Sequence, residues 1–166
     1  MKSFVKRNKT VLALIPVIAV MIMIFCFSAQ DAEESGKTSS VVVEKVIEVV
    51  EPEYDEMPAE KQGEIWSEIT HIVRKTGHFS EFALLGFFTL LYLVTWKKKP
   101  FLYGMWAELF CIVYAATDEL HQMLSPGRGP GVTDVLIDSA GALAGILLSF
   151  FIVKTAERKK HGERRK

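Results

Sequence analysis

Residues 135–153 read VLIDSAGALAGILLSFFIV, an apolar stretch that contains one charged residue, Asp138. A bilayer core about 30 Å thick is crossed by roughly 20 mostly apolar helical residues, so this stretch is long enough to cross a membrane. Gly141 and Gly145 stand one helical turn apart, and small residues at this spacing let a neighbouring helix approach closely. The sequence therefore predicts a membrane-spanning helix that packs tightly against another helix.

Three further stretches have a similar length and apolar character: residues 11–27, which are uncharged, 79–96, which contain Glu81, and 101–117, which contain Glu108. The whole chain is 49% hydrophobic, which is high for a water-soluble domain, so an apolar environment other than its own core must solvate it. We predict an all-α integral membrane bundle of four transmembrane helices, with an extracytoplasmic helical segment between the first and the second.

The first apolar stretch is also compatible with a cleavable signal peptide, because basic residues precede it. Its apolar run exceeds the usual length of a signal-peptide core, and residues 27–30 lack small residues at both positions of a cleavage site. We therefore expect it to remain as an anchor.

Charge asymmetry sets the expected orientation. Basic residues in short flanking segments mark the cytoplasmic side. They precede the first span, form the loop 97–99 and crowd the tail, whereas residues 28–78 hold twelve acidic residues against five basic ones. We expect a multi-pass cell-membrane protein with both termini in the cytoplasm. Residues 1–153 would form the transmembrane domain, with 28–78 as its outer segment, and 154–166 a basic cytoplasmic tail.

The outer segment contains two patterns of regular structure. Residues 39–50 carry a broad apolar face and end at Pro52, which predicts a short helix, although their β-branched residues leave a strand open. Apolar residues recur at helical spacing over 65–73, which predicts a second helix along the outer membrane interface that leads into the second span.

Polar residues gather at the predicted outer ends of spans two, three and four. A charge at the bilayer centre costs about 2.5–3.5 kcal/mol on insertion scales, so such residues call for a reason. Arg74, His78 and Glu81 share one helix face, and Asp118 and Gln122 stand one turn apart. We predict a ligand-binding pocket there. Its predicted residues are Arg74, His78, Glu81, Asp118, Glu119, Gln122, Arg128, Asp134 and Asp138.

The chemistry of this cluster has several interpretations. In one interpretation the cluster is purely structural: its residues form ion pairs between helices, and others, such as Asp134, cap a helix at the membrane interface. Alternatively, Arg74, His78 and Arg128 would hold a phosphate, a lipid head group or a peptide carboxylate.

A catalytic interpretation is also open, since His78 near Glu81 and Asp118 would permit acid/base work or a divalent metal site. However, no HExxH motif, nucleophile elbow or Walker loop is present. The sequence therefore assigns no catalytic residue, no metal ligand and no cofactor.

The polar residues fall into sequence blocks that occur together, in the same order, in one family. The chain resembles the VanZ-like family of bacterial membrane proteins, named for an accessory protein of glycopeptide-resistance clusters. Gly77 departs from the pattern, because an alanine is common before the histidine. The matching blocks are 27–30, 74–82, 118–122, 126–128 and 138–141, with Ser35, Ser39, Leu85, Gly86 and Asp134 in addition.

The resemblance implies a cell-envelope protein and names no reaction. The founding member is associated with resistance to teicoplanin, a glycopeptide with a lipid tail. We expect the lipid bilayer and a lipid-linked or lipoglycopeptide ligand as partners, and no nucleic acid; the sequence indicates no oligomeric state. The alternatives are an intramembrane enzyme acting on a lipid-linked substrate and a structural partner of another membrane protein.

Overall fold

The computed structural model describes the backbone of residues 2–30, 32–96, 100–122 and 131–163. Over these residues the chain is all-α and contains no strand, which confirms the all-α part of the predicted fold. The helices are α1 (Lys2–Ser28), α2 (Ala32–Val50), α3 (Ala59–Val94), α4 (Pro100–Gln122) and α5 (Val132–Glu163), with one 3₁₀ turn at Tyr54–Glu56.

The outer segment is a helical hairpin of α2 and the first half of α3. Val43 and Ile47, one turn apart on α2, are both buried, so the apolar face predicted for residues 39–50 belongs to a helix and the strand alternative is wrong. At the turn, Tyr54 Oη donates a hydrogen bond to the carbonyl oxygen of Gln62 (3.1 Å), and Gln62 Nε2 donates one to the carbonyl oxygen of Tyr54 (3.0 Å). This reciprocal pair fixes the turn against the start of α3.

α3 joins two elements that the sequence suggested separately. The helix expected at 65–73 and the second predicted span form one continuous helix of 36 residues. At about 1.5 Å per residue it is roughly 54 Å long, well beyond the 30 Å of a bilayer core. Its first half therefore extends past the apolar part of the bundle and pairs with α2.

α3 and α5 share the most extensive interface in the bundle. A methyl group added at Gly141 or Gly145 would collide with the carbonyl oxygen of Phe79 or Ala83, respectively, and Gly86 approaches the α5 backbone equally closely. The close approach predicted from Gly141 and Gly145 is confirmed. Because 141 lies beside 79 and 145 beside 83, the two helices run in the same direction.

α1 and α4 run opposite to α3 and α5 and complete the core. Tyr114 Oη of α4 donates a hydrogen bond to the carbonyl oxygen of Met21 on α1 (2.7 Å). Near the start of α1, the hydroxyl groups of Thr10 and Thr95 lie 3.2 Å apart. The buried core they enclose contains Val17, Val20, Ile24, Phe82, Leu85, Cys111, Ala115 and Ala142.

Three helices of the described part of the chain are long and apolar enough to cross a membrane. These segments are Lys9–Ser28, Ala59–Val94 and Val132–Lys159. α4 is not among them, so the predicted four-span bundle is not confirmed on length and composition. The acidic residues Glu108, Asp118 and Glu119 lower the mean hydropathy of α4.

A single methyl group tests the contact between α3 and α5. Gly145→Ala should lower the free energy of unfolding by about 1–3 kcal/mol, because the added carbon meets the α3 backbone. Gly63→Ala is the matched control in α3: nothing lies within 4 Å of its added carbon, so helix propensity alone should raise stability by up to about 1 kcal/mol. Thermal unfolding in detergent measures both, and equal stability of Gly145→Ala and the unaltered protein would contradict the contact.

Candidate functional site

The polar cluster lies at one end of the bundle, where the end of α1, the end of α4 and the start of α5 meet the middle of α3. This convergence follows from the helix directions, since α1 and α4 run towards that end and α5 begins there. The acidic hairpin of α2 and α3 extends from the same end.

Asp118 is the centre of a buried hydrogen-bond network between α1 and α4. Ser28 Oγ donates to Asp118 Oδ2 at 2.6 Å, and Gln122 Nε2 donates to the same oxygen at 2.9 Å. Gln122 Nε2 also lies 3.2 Å from Ser28 Oγ. All three side chains are buried, so the network satisfies Oδ2 of the carboxylate and fixes its orientation.

Three ionisable side chains from three helices converge beside this network. Donor atoms of His78, Asp118 and Asp138 all lie within 4.8 Å of one another. Asp138 is 1% exposed, and neither of its oxygens has a hydrogen-bond partner among the described residues. Glu81 Oε2 lies 4.0 Å from His78 Nδ1, within ion-pair range but too far for a hydrogen bond.

A groove of about 200 Å³ opens beside these residues, between the end of α1, the start of α2 and α3. Arg74, His78 and Glu81 line it from α3, and Gln30 and Ser39 line it from the opposite side. The predicted face of Arg74, His78 and Glu81 therefore borders a real concavity. It offers two nitrogen donors and one carboxylate to whatever enters.

Two of the remaining predicted pocket residues, Glu119 and Asp134, lie beside the start of α5. Lys75 Nζ lies 3.0 Å from Asp134 Oδ1, which ties α3 to the first turn of α5. The backbone N–H of Gly131 donates to Glu119 Oε2 at 3.0 Å, so Glu119 holds the start of α5 rather than lining the groove. Arg128 lies outside the described residues.

Sequence reasoning did not include Ser28, Gln30 and Ser39 in the pocket. Ser28 contacts Asp118 directly, and Gln30 and Ser39 line the groove. The block FSAQ at 27–30 could have indicated that Ser28 and Gln30 belong to the site, because it puts polar residues at the end of an uncharged apolar stretch. Which helix those residues would face was not readable from the chain.

A bundle with several membrane-length helices and ionisable side chains directed into its interior defines the class of helical membrane proteins. The VanZ/LLP1 family model matches residues 13–153, and the chain belongs to this family. The match covers every polar residue of the site described above. No curated protein and no solved structure matches the chain.

Removal of the Ser28 hydroxyl tests the network around Asp118. Ser28→Ala should lower the free energy of unfolding by about 1–3 kcal/mol, because a buried carboxylate loses a donor that nothing replaces. Ser80→Ala is the control: Ser80 is exposed and bonds only to the carbonyl oxygen of Thr76 on its own helix, so it should change stability by less than about 0.5 kcal/mol. Thermal unfolding in detergent compares them, and similar small effects of both would speak against the network.

Proposed function

We propose that the chain crosses the bacterial cell membrane four times, with both termini in the cytoplasm and the polar cluster outside. The support comes from α4. Its acidic residues Asp118 and Glu119 are buried, whereas Trp106 and Val113 on its outer surface are 57% and 55% exposed. Average hydropathy therefore understates how apolar the outward surface of this helix is.

The directions of the helices support the same conclusion. α3 and α5 lie side by side and run the same way, so the chain between them must return along the bundle, and α4 makes that return. If α3 and α5 both cross the bilayer, α4 crosses with them. The basic loop 97–99 and the basic tail would then lie on the cytoplasmic side.

Reporter fusions at the two termini test the number of crossings. Four crossings place both termini on one side, so green fluorescent protein should be fluorescent and alkaline phosphatase inactive when either is fused to the N-terminus or to the C-terminus. Phosphatase inserted at Glu53, in the turn of the outer hairpin, should be active and is the positive control. An active phosphatase at the C-terminus alone would indicate three crossings.

The groove is the proposed binding site for an amphiphile with an anionic head group. Arg74 supports this, because it lines the groove and no described acidic side chain lies within ion-pair distance of it. An unpaired guanidinium is a strong donor for phosphate or carboxylate, and His78 provides a second donor nearby. Phe27 and Val73 line the same groove and offer apolar contacts to the ligand. Arg128 remains a further proposed donor.

Two ligand sources share this chemistry: a lipid-linked envelope precursor and a lipoglycopeptide. Teicoplanin combines a peptide carboxylate with a lipid tail, and the family takes its name from a resistance cluster against such compounds. We therefore extend the proposal to a contribution to teicoplanin resistance in the cell envelope. The apolar tail of either ligand would lie against the exposed apolar surface of the bundle.

Arg74→Gln tests the groove, with Lys45→Gln as the matched control. Lys45 is an exposed cation of α2 that does not line the groove. With purified protein in detergent, Arg74→Gln should weaken binding of the recognised probe at least about tenfold, by loss of a charge-assisted hydrogen bond. Lys45→Gln should leave the binding unchanged.

The probes are teicoplanin, a glycopeptide without a lipid tail, and a polyprenyl phosphate, each measured by microscale thermophoresis. Binding of teicoplanin but not of the tail-less glycopeptide identifies the lipoglycopeptide; binding of the polyprenyl phosphate identifies a lipid-linked head group. Equal affinities of Arg74→Gln and the unaltered protein for every probe would overturn the proposed site.

Of the two alternative functions, one gains support from an observation. The convergence of His78, Asp118 and Asp138 is compatible with an intramembrane enzyme acting on a lipid-linked substrate. The other, a structural partner that would use Gly141 and Gly145 to contact another protein, loses that surface because α3 occupies both glycines.

A further inference from the structure

We infer that His78, Asp118 and Asp138 form a binding site for one divalent cation, Mn²⁺ or Zn²⁺. Each residue comes from a different helix, α3, α4 and α5, and their donor atoms all lie within 4.8 Å of one another. One imidazole nitrogen and two carboxylate oxygens suit these ions, because imidazole is a ligand for zinc and carboxylate for both.

Asp138 is the observation that points to a ligand. Its side chain is 1% exposed, and both carboxylate oxygens are buried without a hydrogen-bond partner among the described residues. A buried polar group without a hydrogen-bond partner costs free energy, and the cost is larger for a carboxylate than for a neutral group. A cation bound between Asp138 and the other two side chains removes this cost directly.

The charges around Asp138 favour a cation over a further protein contact. Glu81, Asp118 and Asp138 gather around His78, and no ion pair between described residues joins any of these carboxylates to a lysine or an arginine. Lys75, on the same helix as His78, pairs with Asp134. A divalent ion offsets the negative charge that the described bases leave uncompensated.

The site needs only a small contraction to coordinate an ion. Ligand atoms about 2.0–2.2 Å from a metal lie about 3.0–3.5 Å from one another, so donor atoms now within 4.8 Å of one another must approach by less than about 2 Å. Ser28 and Gln122 already hold Asp118 through its Oδ2 atom. Glu81 Oε2 lies 4.0 Å from His78 Nδ1, so a shift of about 1 Å would let it accept a hydrogen bond from Nδ1 and leave Nε2 for the ion, as carboxylates do for metal-binding histidines elsewhere.

The cation site does not require an amphiphile in the groove, so each proposal can fail without the other. The cation would lie behind the groove wall, since His78 belongs to both. With the ion bound, Arg74 rather than His78 would donate to an amphiphile in the groove. Its charge would strengthen the attraction of the groove for phosphate or carboxylate.

Mn²⁺ binding to the purified full chain tests the site. The protein carries no polyhistidine tag, is stripped with EDTA in detergent, and is titrated with MnCl₂ while electron paramagnetic resonance counts the free ion. We expect saturation near one Mn²⁺ per chain, competition by Zn²⁺, and nitrogen hyperfine coupling from the imidazole of His78. Asp138→Asn should weaken binding at least about tenfold, because it removes a ligand charge.

Glu108→Gln is the matched control, because Glu108 is another acidic residue in a core helix with a buried, unpartnered oxygen, and it lies outside the cluster. It should leave Mn²⁺ affinity unchanged. If Asp138→Asn does not elute as a folded species in gel filtration, His78→Ala takes its place in the titration. His78→Ala should weaken Mn²⁺ binding and abolish the nitrogen hyperfine coupling. The inference is overturned if the folded, unaltered protein shows no saturable binding, or if Glu108→Gln weakens binding as much as Asp138→Asn or His78→Ala does.

Discussion

The direct contact between the backbones of α3 and α5 is the constraint on which the rest of the bundle depends. Glycine has no Cβ, so at Gly86, Gly141 and Gly145 each helix meets the main chain of the other. In lipid the hydrophobic effect does not drive helices to associate. Close van der Waals packing of this kind is one of the few interactions that can hold them together there. The parallel direction of the two helices then obliges α4, which connects them in the chain, to run back along the bundle.

The same contact also sets the separation of the site residues. Asp138 lies one turn before Gly141 on α5, and His78 directly precedes Phe79, whose carbonyl oxygen Gly141 approaches. Bringing Gly141 against Phe79 therefore brings Asp138 towards His78. Packing and site geometry are consequences of one interface, and a bulkier residue at 141 would change both.

Burial of the polar groups explains how a bundle with so many acidic residues presents an apolar exterior. Asp118 has Ser28 and Gln122 as donors, whereas Asp138 has no described donor. Two carboxylates at the same end of one bundle thus lie in contrasting environments. Asp118, which joins α1 to α4, has a structural role. Asp138, which has no described donor, is the stronger candidate for a functional role. The groove at Arg74 adjoins the cluster through His78, which belongs to both.

The sequence by itself determined the helical class, three of the membrane-length helices, the close approach at Gly141 and Gly145, and the face shared by Arg74, His78 and Glu81. These features depend on hydropathy, residue size and the 3.6-residue period, all of which are local in the chain. The sequence also revealed the resemblance to the family, because each motif block is a short continuous run of residues that can be recognised without the structure. The sequence also predicted a span at 101–117, but the mean hydropathy of α4 did not confirm it, and an average cannot tell which face of α4 its acidic residues occupy.

Only the tertiary structure decided which polar residues meet. Ser28 and Asp118 are 90 positions apart, and no local pattern pairs them; helix packing does. For the same reason Glu119 and Asp134, which look equivalent to Asp118 and Asp138 in the sequence, tie down the start of α5 instead of lining the groove. Contacts between distant residues depend on how the helices are rotated about their axes, and that rotation is set by the packing of the whole bundle.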